Sequence, residues 1–392
     1  MESKLQLKHI GQISRAEIVF GDLTVFVGPQ ATGKSIALQV LKLLVDNGHV
    51  LSELKRYGLD WSKKLPDFLD VYLGEGMSHI WQQGKSSIFW QGQALNLPQL
   101  ITRQKRSKAE TLFFIPAQRV LTLRDGWPRP FTDYSPGDPF AVREYSEKLR
   151  LLLEQEFKAT EGLFPQKKRL KREVRELLAK SFFPGYNLRV DRHRSQRRLV
   201  LQASNGQQPL LNGQEQLPFM VWSAGQREFV PLLLGFYWLM PPSKVNRRGQ
   251  IQWVVIEELE MGLHPQAISV TMLMVLELLG RGYRVCLSTH SPHVLDVVWA
   301  LHMLKTHAPD PDLLLEIFGT QKTDPMRKMA KAVLRKSMHV YYFDRDGQTR
   351  DISSLDPGSS DKIESGWGGI TDFSGRVADV VSKAVAASER SA

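Results

Sequence analysis

The chain has 392 residues, 42% hydrophobic and 24% charged, which predicts a soluble globule of one large domain or two ordinary ones. The single cysteine, Cys286, excludes a disulfide framework and a cysteine-based zinc site within one chain. The longest apolar run, Phe229 to Met240, is too short to span a bilayer, and the charged opening MESKLQLKHI lacks the apolar core of a secretory signal, so a cytoplasmic protein is expected.

The opening reads as three short strands, LQLKHI, RAEIVF and LTVFV, broken by GQIS and GD. The third runs into GPQATGKS and then the helical IALQVLKLLV. Strand, glycine loop and helix are the context a phosphate-binding P-loop requires. Gly28, Pro29, Gln30, Ala31, Thr32 and Gly33 would wrap a phosphate chain with backbone N–H groups, while the helix turns its positive end to the anion. Lys34 would reach the β- and γ-phosphates of ATP, and the Ser35 hydroxyl would sit on Mg²⁺.

From Asp46 to Arg106 no clean period emerges. TLFFIPA (Thr111 to Ala117) is a candidate buried strand, and the Pro- and Gly-rich run Gly126 to Phe140 reads as a loop. Ala141 to Lys180 reads as helical, broken at Gly162 and Pro165. NLRV and RRLVLQA alternate like a hairpin, and NGQQPLLNGQ returns to turn chemistry. Net charge is +11, and Arg150 to Arg198 holds 14 Lys/Arg against 6 Asp/Glu. That surplus suits nucleic acid or an acidic protein surface, and it is equally what a solvated charged face looks like.

Past Pro218 the α/β pattern returns. In VWSAGQREF, Ser223, Gly225 and Gln226 open a helix, making a second anion site. One P-loop already cradles its own phosphates, so the second site suggests use in trans, on ATP held by another protomer. IQWVVIEELE (Ile251 to Glu260) is an apolar strand ending in acids. Glu257 would hold Mg²⁺ through a water, and Glu258 would orient or deprotonate the attacking water. RVCLST is a further strand with His290 just beyond it, placed to sense the γ-phosphate; His293 reads as structural. HVYYFDRDGQTRDI reads as a hairpin around an Asp-Gly turn, and the Ser/Gly-rich stretch from Ser354 becomes mildly helical.

Together these elements resemble the ABC-type ATPase superfamily, in the branch containing the SMC, RecF and OLD-like proteins. The resemblance rests on GPQATGKS, SAGQ, EELEMGLHP and STHSP and covers about residues 1–120 and 215–300. It implies an α/β fold, a mixed sheet flanked by helices with a basic, largely helical insertion. It also implies two protomers sandwiching two ATP molecules head-to-tail, and a stand-alone ATPase of prokaryotic anti-phage or DNA-maintenance systems working with a separate effector. FFIPAQR is similar to the Q-loop, which would make Gln118 a metal or γ-phosphate sensor. The domain limits that follow are 1–120 and 214–350 for the two halves of the ATPase core, 121–213 for the insertion and 351–392 for a tail. Three positions depart from the pattern: Glu257 stands where Asp is commoner, Leu259 where proline is frequent, and SAGQ is not SGGQ.

Long SMC-type arms are excluded, since an insert of about 40 residues spans about 60 Å even as unbroken helix. The absent SGGQ, the basic insert and the Leu-His-Pro loop argue against a transporter subunit. A RecF- or SMC-like maintenance ATPase stays open, as does a scaffold that ATP stabilises with little turnover. An OLD-like nuclease would need Asp344 and Asp346 as metal ligands, but a lone Asp-x-Asp is a weak signal and about 100 residues after His290 are few for a nuclease domain.

Overall fold

The computed structural model describes residues 3–102, 109–157, 162–193, 196–204, 216–242, 246–370 and 372–389. Strands β1 (Ser3–Ile10) and β2 (Ile13–Phe20) pair antiparallel and bury alternate side chains, as their sequence pattern predicts. Strand β3 (Leu23–Val27) is buried at every position and leads through the glycine loop into helix α1 (Lys34–Arg56). Helix α2 (Leu65–Leu73), the hairpin β4 (Ser87–Trp90) and β5 (Gln93–Leu95), and the single turn α3 (Leu97–Leu100) precede β6 (Leu112–Ile115). The aperiodic stretch after Asp46 is thus structured. Helix α1 kinks at Asp46 and continues to Arg56, and Asp46, Asn47 and His49 are buried on it. Polar residues facing inward erase the amphipathic signature on which a sequence reading depends.

Two-residue strands β7 (Leu123–Arg124) and β8 (Trp127–Pro128) form a tight hairpin, followed by α4 (Phe140–Gln155), β9 (Gly162–Phe164) and α5 (Arg172–Phe182). Strands β10 (Tyr186–His193) and β11 (Gln196–Ala203) form the expected hairpin, and β12 (Gln216–Pro218) adds to its edge. The run NGQQPLLNGQ lies outside the described residues. Helix α6 (Ala224–Leu239), β13 (Trp253–Glu257), α7 (Pro265–Gly280), β14 (Arg284–Thr289) and α8 (Pro292–His307) complete an alternating α/β stretch. Helices α9 (Pro311–Ile317) and α10 (Asp324–Val333) lead to the hairpin β15 (Met338–Phe343) and β16 (Thr349–Asp351), then α11 (Lys362–Ser365) and α12 (Asp372–Glu389).

The central sheet has the order β16-β15-β3-β14-β13-β6 and is mixed: only the edge strand β16 runs antiparallel. Its strands turn alternate residues to two cores. Leu23, Val25, Phe113, Val254 and Leu287 face the helices α4 to α8, while Phe26, Phe114, Val255 and Cys286 face α1, α2 and the β1–β2 sheet. The insertion is not a separate body. Leu163, Phe164, Val174, Leu178, Leu188 and Leu199 share the first core with the sheet.

Registry decides what happens at one edge. Val27 pairs with Thr289 and Tyr342, Ser288 with Glu257, and Ile256 with Ile115. The carboxyl ends of five parallel strands are therefore level, where an open α/β sheet binds its ligands.

Candidate nucleotide site

The P-loop leaves β3 at Gly28, whose φ of 140° and close approach to the Phe343 carbonyl leave no room for a Cβ. Gly33 (φ 94°) closes the loop with Ile13 against it and caps α1. Thr32 Oγ1 donates to the Pro29 carbonyl at 2.9 Å, bracing the curve. Lys34 is buried at the foot of the loop, where Nζ donates to the carbonyls of Gly28 (2.8 Å) and Pro29 (2.6 Å). Burial pushes its pKa down to about 8 against the pull of Glu258 and Glu260. An ammonium held this way gains when phosphate charge arrives beside it.

β13 delivers Glu257 and Glu258 to the same mouth. Glu257 is 3% exposed; one carboxylate oxygen accepts from Ala117 N–H at 3.3 Å and the other has no partner. Burial raises its pKa to about 7, against hydrogen bonds from Ser35 and Ala117. The orphaned oxygen, the Ser35 contact and the glycine-built cradle fit Mg²⁺ carried by a nucleotide triphosphate. Glu258 sits at φ 42°, a conformation costly for a residue with a Cβ, and is held there by its N–H donating to the Ser288 carbonyl at 2.9 Å. Its carboxylate stands 3.7 Å from His290 Nε2. His290 is fixed by its own N–H, which donates to Glu260 at 2.6 Å. Burial, then the Lys34 charge, lowers the imidazole pKa, which keeps the ring neutral near pH 7.

A cleft of about 170 Å³ runs between Gln30 to Ile36 on one side and Glu258, Ser288 and His290 on the other. An adjoining cavity of about 540 Å³ shares Gln12, Gln30 to Thr32 and His290 and adds Asp344 and Arg345. The structure thus brings together the P-loop, Glu257, Glu258 and His290. Ser223, Gly225 and Gln226 line neither space. Ser223 is exposed and caps α6 in a reciprocal box with Gln226: Gln226 N–H donates to Ser223 Oγ at 3.3 Å, and Ser223 N–H donates to Gln226 Oε1 at 3.1 Å. Gln226 also donates to the Phe182 carbonyl at 2.9 Å, and Phe182 stacks on Phe229, which ties the start of α6 to the insertion. Gln118 is exposed and lines neither cavity, although its neighbour Ala117 bonds Glu257. His293 only approaches Asp296, at 3.6 Å.

Four residues at the site escape the sequence reading. Arg119 is wholly buried and donates to the carbonyls of Glu257, Glu258 and Leu259 and to that of Glu228 on α6, at 3.1 to 3.4 Å. It welds the acidic turn to the helix that Ser223 caps. Glu260, its pKa raised by burial, pins His290. Gln12 and Arg345 come from two turns joined over the P-loop by Ser14 N–H donating to the Gly347 carbonyl at 2.8 Å. The signal for Arg119 is a charge four residues beyond an apolar strand, in FFIPAQR. Asp344 and Asp346 pair with Arg350 at 3.1 and 3.7 Å, and among the described residues they join no third carboxylate as a metal-holding group.

The P-loop, the acidic strand and His290 meet at one edge of the central sheet, and the capped helix α6 lies apart from them. Residues 133–296 match the family described as "AAA domain, putative AbiEii toxin, Type IV TA system". That match begins beyond the P-loop and takes in SAGQ, the acidic strand and His290. No curated protein matches the chain. Solved structures that align with it include an Smc head bound to the C-winged helix domain of ScpA, at 14% identity over 89% of this chain and 97% of that one, TM-score 0.40. The SMC head domain from Thermotoga maritima aligns at 13% identity over 76% and 91%, TM-score 0.32. An Smc head with an extended coiled coil, bound to the C-terminal domain of ScpA derived from Pyrococcus furiosus, aligns at 12% identity over 89% and 95%, TM-score 0.34. No helix among the described residues is long and apolar enough to cross a membrane.

Proposed function

We propose that the chain binds and hydrolyses ATP with Mg²⁺, and that two copies close around the nucleotide as a gate for a separate effector protein in anti-phage defence. The backbone N–H groups of Gln30 to Ser35, with Lys34, take the phosphates. Ser35 and Glu257 hold Mg²⁺, which when bound draws charge from the phosphate oxygens. Glu258 orients the attacking water and accepts its proton, and neutral His290 donates toward the γ-phosphate. The partner's Ser223 and the free N–H groups of its α6 then meet that phosphate from the other side. The basic span from Arg150 to Arg198 is the surface for nucleic acid.

The observation that carries this reading is that the P-loop cleft lies at the level strand ends, whereas Ser223 caps an exposed helix that contributes nothing to that cleft. The family's description, with its toxin and antitoxin vocabulary, supports a role beside a separate partner.

Mixing two inactive variants tests it. Lys34→Ala loses nucleotide and Ser223→Arg blocks the partner's site, so each alone releases no phosphate from ATP. An equal mixture regains about a quarter of wild-type turnover, because half of the dimers carry one intact composite site. A Ser223→Arg variant with full turnover alone, or a mixture that stays silent, contradicts the composite site.

A further inference from the structure

A second cleft, of about 670 Å³, lies between the β7–β8 hairpin, the adjacent ends of β10 and β11 (His193 and Gln196 to Arg198) and the turn Phe219–Val221 that leads to Ser223. Its charge is one-sided: Arg124, Arg129, Arg197, Arg198 and His193 face Asp125 and Asp133. Arg198 is spent on Asp191 at 3.0 Å. Arg124 and Arg197 have no carboxylate partner among the described residues, and the buried Nε of Arg129 has no acceptor. Arg197 stands directly across from Arg192 in the β10–β11 ladder. Like charges opposite one another weaken a hairpin, and an anion between them reverses the sign. Arg192, with Arg189 and Asp191, lines a further cavity of about 450 Å³ on the same hairpin.

The cleft also has an apolar wall. Trp127 and Phe219 line it, and Met220 is 67% exposed there. Arginine forks match phosphate oxygens, and flat or polarizable side chains accept the face of an unpaired base. An acidic protein segment would use the arginines and leave that wall idle. A duplex would present its phosphates and keep its bases out of reach.

We propose that this cleft holds a single-stranded nucleic acid, its phosphates on Arg124 and Arg197 and a base against Trp127 and Met220. The inference rests on the basic insertion being a nucleic-acid surface, and it names the place and the strand state.

Fluorescence anisotropy of the full chain with a labelled oligothymidine of about 20 residues, and with a duplex of equal length, tests it. Arg124→Ala with Arg197→Ala weakens single-strand binding at least about tenfold and flattens the log–log salt slope by about 1.4, the value for two lost phosphate contacts. Trp127→Ala weakens binding without changing that slope. ATP binding by each variant verifies its fold. Wild-type affinity in the double variant, or equal binding of duplex with Trp127→Ala silent, overturns the cleft while leaving the insertion as a nucleic-acid surface. A wild-type chain that binds neither probe overturns both.

Discussion

Two clusters of buried charge lie at the two ends of β6, and they are built on opposite principles. At its start, Asp46 accepts the N–H groups of Thr111 and Leu112 at 2.9 Å, and Lys42 reaches Asp46 at 3.0 Å, Glu144 at 3.3 Å and Glu110 at 3.6 Å. His49 bonds Glu144 at 2.5 Å. Burial works against the Lys42 ammonium, but the surrounding carboxylates outweigh it and hold its pKa above the ordinary value. Burial is likewise outweighed at Glu144, where Lys42 and His49 hold the carboxyl well below the usual range. The group His49, Glu110 and Glu144 could hold a metal by geometry, yet the Lys42 ammonium already supplies the cation. Past the other end of β6, burial wins: Lys34 is pushed down and Glu257 up, each toward its neutral form. Charges matched to each other hold a fold together, whereas charges left short of a partner mark the place for a ligand.

The sharpest break of that contrast is a pair of lysine variants. Lys42→Met leaves Asp46 buried without its cation, and Glu110 and Glu144 with only Lys148 and His49, and costs about 3–5 kcal/mol in denaturant unfolding. Lys34→Met changes stability by less than about 1 kcal/mol while abolishing ATP binding. Equal stability losses would erase the distinction. Next, Glu258→Gln slows phosphate release by about 10²- to 10⁴-fold and retains ATP, as loss of a general base requires.

Glu257 sharpens the comparison through pH. Its folded pKa, near 7, lies above the usual 4.5, so the stability it contributes is present at acid pH and is lost as pH rises through 7. Without Mg²⁺, Glu257→Gln should therefore gain on the wild type between about pH 4.5 and 7, by up to about 3 kcal/mol. A flat difference in unfolding free energy over that interval contradicts the assignment. Mg²⁺ affinity in the presence of nucleotide should weaken below pH 7, because the carboxyl must shed its proton to ligate. The smallest effect expected is at the Glu258 backbone, where Glu258→Gly relieves the φ of 42° and gains about 1 kcal/mol in thermal unfolding while losing turnover.

Much of this end of the molecule is legible in the sequence because its signals are local. LTVFV before glycine, WVVIEE and RVCLSTH each state a buried parallel strand and the group at its exit. The hairpin around Asp346 and Gly347 is equally local and it forms, but the sequence does not say that β15 enters the central sheet beside β3, more than 300 residues earlier. Arg119 and Gln118 show the same limit at one-residue scale. Both follow the same strand, and only the turn from Arg119 to Thr122 decides that arginine goes inside and glutamine out. The Lys42 cluster is invisible for a related reason, since its partners come from α1, the segment before β6 and α4, and no spacing along the chain announces them.

The central claim is that one ATP is held between the strand ends of one copy and Ser223 of another. Sedimentation velocity of Glu258→Gln with and without Mg²⁺ and ATP tests it most directly. Adding ATP should shift the protein from monomer to dimer, and Ser223→Arg should abolish that shift. A mass unchanged by ATP, or an ATP-dependent dimer indifferent to Ser223→Arg, would contradict it.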